Sequence, residues 1–447
     1  MTHCPGPPRR LFANYARELT LDPMNFAVRM AAKFGGIAEI PLAGRNSLFL
    51  LSDPDLIRET LIDKRTLFIK NTRYDALRRL LGNGMLLSEH EAWRRQRRLL
   101  QPAFKPGVLA GHHEWLHALI DAFLDRWQDA ARTQAPVNMM VEFQKLAQAV
   151  AGRLTFGVCF EGRADALFDT LMKVWRSWPA RPSLATWIHW QRTRERAARL
   201  DAAMAELDAL MLSIIDACRE AGPERGGLIG LLIRASAEEG PAFTPMELRD
   251  QAITMIGAGY ETSASAMCWT HILLAQHPDI RERIEAEVAA HCPPGAPISL
   301  PQLEALTYTE QVVKESLRLY LPIHSFARVA TEDTSIGGCP VAKGKTAVVS
   351  VHAMHHTPQH WPEPDRFDPE RFGAEQCAGR SRYTYLPFGL GHRACIGATF
   401  AMTEAVLTVA LIARRYRLEL VPGQVFEPAP GTTVYPRQGL KMTVNGR

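Results

Sequence analysis

The sequence predicts a mostly α fold with small β-sheets, built as a single domain over residues 1–447. Three observations carry this. The C-terminal two-thirds reads mainly as helices, the clearest between Pro245 and Gln276. The β-like runs are short. No internal repeat or low-complexity linker divides the chain, so the two or three domains that length alone favours give way to one. With 47% hydrophobic and 22% charged residues, the composition is globular and affords a large core.

In chain order, short strands are expected near Ile37–Pro41 and Leu48–Leu51. Ser88-Glu89-His90-Glu91 reads as a capping box ahead of AWRRQRRLL. Helices are expected near 113–132, 141–156 and 196–221. The long helix opens with Thr244-Pro245-Met246-Glu247, a capping box with proline at the first helical position, and closes before His277-Pro278. At ~1.5 Å per residue it spans roughly 48 Å. Its centre is almost free of charge, which predicts burial. Helices near 278–291, 301–319 and 397–415 follow, with strands at Thr346–Val351, Leu418–Val421 and Lys441–Val444. Proline punctuates 293–295 and 358–369.

The net charge of +5 and pI near 8.8 are mildly basic. The arginines are scattered and no basic tail is present, so nucleic acid is not expected; a local basic face for an acidic protein partner is. None of the eight cysteines forms a C-x-x-C pair, and no zinc, iron–sulfur or disulfide framework is spaced out. A reducing, cytoplasmic setting follows. No run has the length of a membrane span or a secretory signal.

One stretch stands apart: LPFGLGHRACIGATFA, 386–401, holds Cys395 among Gly389, Gly391 and Gly397 at the mouth of an apolar helix. Glycines let backbone turn tightly or approach another group closely. A helix N-terminus favours a thiolate over a thiol. Arg393 adds charge that can grip an acidic cofactor group. Three readings are open: a buried structural cysteine, a nucleophile, or a thiolate ligand to haem iron.

The loop resembles the haem-binding loop of the cytochrome P450 family. That pattern is Phe, two residues, Gly, any, Arg, any, Cys, any, Gly, and Phe388, Gly391, Arg393, Cys395 and Gly397 fill it. VVKESLRLYLP supplies the family's Glu-x-x-Arg as Glu315 and Arg318, at a spacing that shares one helix face. FDPERF supplies Arg371 as third member of a buried Glu–Arg–Arg network that stabilises the core. The resemblance spans nearly the whole chain. It implies a triangular-prism fold carrying haem b, with Cys395 as axial thiolate. It also implies that Trp93 and Arg97 of EHEAWRRQRRLLQPAF and Arg328 of FARVATED contact the propionates, for which an indole N–H and guanidinium forks are suited. Arg94, Arg95 and Arg98 are read either as a solvated face or as a docking surface for an acidic electron donor.

In TMIGAGYETSASAM, Gly257 and Gly259 each cost roughly 1 kcal/mol against alanine inside a helix. Packing on a flat object or room for a small ligand would account for them. Ala258-Gly259-Tyr260-Glu261-Thr262 is similar to the family's oxygen-activation motif. The resemblance makes Thr262 the hydrogen-bond donor on the oxygen side and Glu261 a proton carrier.

What it implies for function is a monooxygenase that inserts one atom of O2 into a lipophilic substrate. Electrons come from NAD(P)H through a ferredoxin- or flavodoxin-type donor and its reductase. Met255, Ala258, Ile323, Phe326 and Val434 are candidate lining residues, as is the stretch holding Trp175, Trp178, Trp187 and Trp190. Their apolar character favours a terpenoid or similar natural product, with a fatty acid as alternative. No strongly charged anchor for a substrate carboxylate stands out beyond Arg73. A peroxide-driven hydroxylase is the second enzyme class, disfavoured by the intact Glu261-Thr262 pair. A non-catalytic haem sensor is the third, and no output domain accompanies the chain.

Overall fold

The computed structural model describes residues 4–9, 15–42, 46–70, 75–177, 190–222, 224–238, 241–431 and 433–447. Arg73, Trp178 and Trp187 lie outside the described residues. The mostly α class with small sheets is borne out. The chain gathers into two compact units: residues 1–72, 106–143 and 262–447 form one, and residues 73–105 and 144–261 the other. Among the described residues no helix is long and apolar enough to cross a membrane.

The first unit is built on a five-stranded sheet, in the order Ile37–Pro41, Ser47–Leu51, Thr346–Ser350, Ser325–Ala330, Phe68–Lys70. Ser47–Leu51 is buried along its whole length because both sheet faces are covered. Phe49 and Leu51 pack with Ala347 and Val349 on one side; Leu48 and Leu50 pack with Val348, Phe26 and Ala27 on the other. Side chains alternate across a strand, so a strand buried on both faces reads as a continuous apolar run. Phe68–Lys70 and Ser325–Ala330 were not expected from sequence; they are held by register with neighbours distant in the chain. Tyr416–Leu420 and Lys441–Gly446 pair as antiparallel strands, close to their expected positions.

Three helical expectations are corrected. The helix expected over 301–319 is two, Leu300–Ala305 and Thr307–Leu319. The second is started by Glu287, whose carboxylate accepts from the Tyr308 and Thr309 N–H groups at 2.7 and 2.8 Å. A cap supplied by a distant side chain leaves no local signal. The 113–132 helix breaks into His113–Leu124 and Gln128–Thr133 around a 3₁₀ turn, where Arg415 pairs with Asp121 and Asp125. The Ser88 capping box does not form. The helix starts at His90 after Glu89, and the Ser88 hydroxyl serves the buried Gln96 side chain, Oγ to Oε1 2.5 Å.

The long helix runs Pro245–Gln276 as expected. Its capping box is formed in both directions: the Thr244 N–H donates to Glu247 Oε2 at 2.8 Å and the Glu247 N–H to Thr244 Oγ1 at 3.2 Å.

Glu315 and Arg318 are both fully buried and joined by two hydrogen bonds, 2.7 and 2.9 Å. Arg371 Nε lies 3.3 Å from Glu315 Oε1, completing the expected network. Arg318 also donates to the carbonyl of His355 at 2.8 Å and to that of Arg366 at 3.2 Å. Replacing Arg318 by methionine fills similar space but strands Glu315 in the core. We predict a loss of roughly 3–5 kcal/mol in urea denaturation. A loss below about 1 kcal/mol would show that the network is dispensable.

Candidate functional site

The thiol loop is mounted on the first unit at its root and at its turn. At the root, the Leu386 N–H donates to His355 Nε2 at 3.0 Å. Burial holds the His355 pKa well below its ordinary value, so the ring is neutral and its nitrogen can accept. At the turn, Gly389 and Gly391 have φ of +73° and +75°. A Cβ on Gly391 would stand 2.6 Å from the Leu61 carbonyl oxygen, so only glycine lets the loop rest on that backbone. The Cys395 N–H ties back to Phe388 O at 2.9 Å. Cys395 precedes Gly397, the N-cap of helix Ala398–Arg415. All eight cysteines carry thiols, and only Cys377 and Cys395 are exposed.

Phe388 and Arg393 share this loop and are half-buried. Arg328 is buried on strand Ser325–Ala330, with its guanidinium over the Phe326 ring and Nη1 donating to Ala327 O at 2.9 Å. Trp93, Arg97 and Glu261 belong to the second unit. Trp93 and Arg97 line one open depression of about 370 Å³ together with Arg94, Arg98, Gln101, Pro102 and Lys105. Arg95 leaves the cluster proposed for docking: its guanidinium lies 4.1 Å from the Phe243 ring and bonds to Pro241 O.

The two glycines of the long helix differ in their surroundings. A Cβ on Gly259 would come 3.1 Å from Ala151 Cβ, a tight contact at a close helix approach. Gly257 has only an ordinary contact with Leu81, at 3.7 Å. Tyr260 is buried, and its hydroxyl donates to Glu261 Oε1 at 3.3 Å. Thr262 is half-buried. Of the candidate lining residues, Met255 and Phe326 are half-buried and Ala258 and Ile323 exposed. Val434 is corrected: it is fully buried, and its carbonyl accepts from Ser265 Oγ and Trp269 Nε1. Trp175 and Trp190 stand at helix ends, in Ala164–Ser177 and Trp190–Ala221.

Sequence reasoning missed Glu404. It is a buried acid on the thiol helix, bonded by Ser263 Oγ at 3.0 Å, one residue beyond Thr262. The signal was present as a single acid within an otherwise apolar helix. Burial pushes its carboxyl up to about 8, with the Ser263 hydroxyl acting in the opposite direction. Between 4.5 and about 8 the folded protein therefore binds the extra proton, and this group makes stability fall as pH rises through that window. Glu404→Gln should match wild type near the bottom of the window and exceed it above the top by roughly 2–4 kcal/mol in urea denaturation. Identical pH profiles would contradict a neutral Glu404.

A family model described as Cytochrome P450 matches residues 5–444. Cyclooctatin synthase of Streptomyces melanosporofaciens is 31% identical over 96% of this chain and 92% of its own length. Cyclooctat-9-en-7-ol 5-monooxygenase of the same organism is 33% identical over 90% of this chain and 86% of its own. Among solved structures, the haem domain of cytochrome P450DA superposes with a TM-score of 0.88 at 26% identity, covering 100% of this chain and 98% of that one. Membership of this family implies haem bound through a cysteine thiolate and dioxygen as co-substrate. The glycine-mounted thiol, the buried Glu–Arg–Arg network and these matches agree: the chain belongs to the cytochrome P450 family, as an oxidoreductase of the monooxygenase kind.

Proposed function

We propose that the protein, as one haem-thiolate domain over 1–447, inserts one oxygen atom into a terpenoid or similar lipophilic natural product. The observation that carries this is the exposed Cys395 thiol on a loop only glycine permits. The donor set suits haem: a thiol at a helix mouth for the iron, and guanidiniums for two carboxylates. Cys395 is the proposed ligand. Arg97, Arg328 and Arg393, with the Trp93 indole N–H, are the proposed propionate partners, and Phe388 the packing residue of the loop. Bound haem would supply the reductive activation of dioxygen.

The chain's own groups would supply the rest. Gly389, Gly391 and the Cys395 N–H hold the sulfur in place. The Thr262 hydroxyl donates a hydrogen bond on the oxygen side. Glu261 Oε1, already an acceptor for Tyr260, takes and releases the proton that Thr262 needs. Half-buried Met255 and Phe326 and exposed Ala258 and Ile323 are each apolar and are the proposed substrate contacts. One relative's name states the 5-monooxygenation of cyclooctat-9-en-7-ol, an unsaturated alcohol, and this favours a terpenoid over a fatty acid.

Electrons would come from NAD(P)H through a reductase and a ferredoxin- or flavodoxin-type donor. Exposed Arg94, Arg98 and Lys105, around one depression, offer that donor a basic face.

The test is turnover under ¹⁸O₂ with a donor, its reductase and a panel of terpene alcohols and fatty acids. We predict one ¹⁸O atom in a terpene product. Turnover confined to fatty acids would overturn the substrate class, and turnover on peroxide alone the electron route. In the same assay Thr262→Ala should lower product per NAD(P)H by about tenfold or more, with hydrogen peroxide released instead, while Thr262→Ser keeps much of the coupling. Equal coupling in wild type and Thr262→Ala would exclude Thr262 from proton delivery. Salt should slow reduction, and alanine at Arg94, Arg98 and Lys105 should remove that dependence; an unchanged dependence would place docking elsewhere.

A further inference from the structure

The second unit mounts two cysteines on one backbone knot. Helix Met139–Phe156 ends in the turn Gly157–Phe160, which carries Cys159. Cys218 sits in the last turn of helix Trp190–Ala221. The Val158 N–H donates to Arg225 O at 3.1 Å, and Cys159 Sγ lies 4.0 Å from the same oxygen. Cys218 Sγ lies 3.6 Å from Phe156 O, three residues before Cys159. A Cβ on Gly226 would come 3.1 Å from Cys218 Cβ, and Gly157 has φ +58°, so the segments meet backbone to backbone. The Cys159 thiol is near enough to the Cys218 thiol to add to the push that burial gives it.

Their surroundings differ. Cys218 is fully buried and Cys159 half-buried. Burial pushes the Cys218 thiol up, against the pull of the Arg163 charge. Arg163 Nη1 is itself buried with no hydrogen-bond partner among the described residues. One thiol can meet a small oxidant from solvent; the other is inert to it but placed to attack its neighbour.

We propose that Cys159 and Cys218 form a peroxide-responsive dithiol, whose disulfide pins the end of helix Trp190–Ala221 to the Gly157–Phe160 turn. The Cys159 thiolate attacks hydrogen peroxide: an S–O bond forms, the O–O bond breaks, and the departing hydroxide takes up the thiol proton as water. Cys218 then attacks the Cys159 sulfur: the S–S bond forms, the S–O bond breaks, and a second water leaves with the Cys218 proton. Two thiols are oxidised by two electrons and one peroxide is reduced. Unproductive reduction of dioxygen is a source of peroxide in a monooxygenase.

Cys4 and Cys339 provide an internal control. They too are neighbours, but both are buried in the sheet core, where burial, with Cys339 beside it, pushes Cys4 up to about 12. The test treats the haem-loaded protein with a few equivalents of hydrogen peroxide, quenches with catalase, alkylates, and maps peptides without reduction. We expect a Cys159–Cys218 linked peptide, two hydrogens lighter, formed at least about tenfold faster than any Cys4–Cys339 link and reversed by dithiothreitol. In Cys218→Ala, whose fold is checked by circular dichroism, dimedone should trap a sulfenic acid at Cys159. In Cys159→Ser, Cys218 should remain unlabelled. Cys159 and Cys218 still alkylated when exposed Cys377 is fully oxidised would overturn the proposal. So would labelling of Cys218 in Cys159→Ser at the rate of Cys159 in Cys218→Ala. Because peroxide is added directly, the outcome does not depend on the substrate or the redox donor.

Discussion

A buried carboxylate between two guanidiniums sets the frame of the first unit. Glu315 is fully out of water, and the bonds of Arg318, the nearby Arg371 and the Asp368 N–H make its charge tolerable there. Arg318 spends its remaining donors on the carbonyls of His355 and Arg366. His355, held neutral by burial, accepts from the Leu386 N–H at the root of the thiol loop. A continuous set of hydrogen bonds thus runs from the ion pair to the segment that presents Cys395. The Asp368 N–H, donating to Glu315 at 3.0 Å, brings the chain after residue 360 into the same set.

The second unit uses a similar device on the segment leading to Trp93. Asp250 Oδ2 accepts from the Asn83 N–H at 2.7 Å and Gln251 Oε1 from the Met85 N–H at 3.1 Å. Arg249, almost wholly buried, bonds to Asp208 at 2.7 Å and to Leu80 O at 2.8 Å. Buried Gln96 links back through Asn83 O at 3.0 Å. The arginine-rich helix His90–Leu100 is therefore held from the first half of the long helix. Its exposed basic residues need no structural role of their own.

Much of this was legible in the sequence because its signals are local. The Thr244–Glu247 box, the proline before Met246 and the almost charge-free centre placed the long helix to the residue. The cysteine loop and the Glu315–Arg318 spacing carried the family. What escaped depends on partners outside the local pattern, most of them far away in the chain. Glu287 divides a helix it does not belong to, Gln96 diverts Ser88 from capping, and Phe68–Lys70 is a strand only because Ala330 and its neighbours pair with it. Gly259 was read as packing on a flat object or as room for a ligand, and it also stands close to Ala151; Arg95 looked like part of a docking face, yet Phe243 covers it. Spacing identifies the residues on a helix face but not what that face meets.

The supports in the first unit lead to one sulfur, Cys395, which we propose as the iron ligand. The direct measurement is the carbon monoxide spectrum of the reduced, haem-loaded protein, compared for wild type, Cys395→Ser and Cys377→Ser, the last removing the other exposed thiol. The account predicts the strongly red-shifted Soret band of thiolate-ligated haem in wild type and Cys377→Ser, and its loss in Cys395→Ser. A red-shifted band that survives in Cys395→Ser would contradict it.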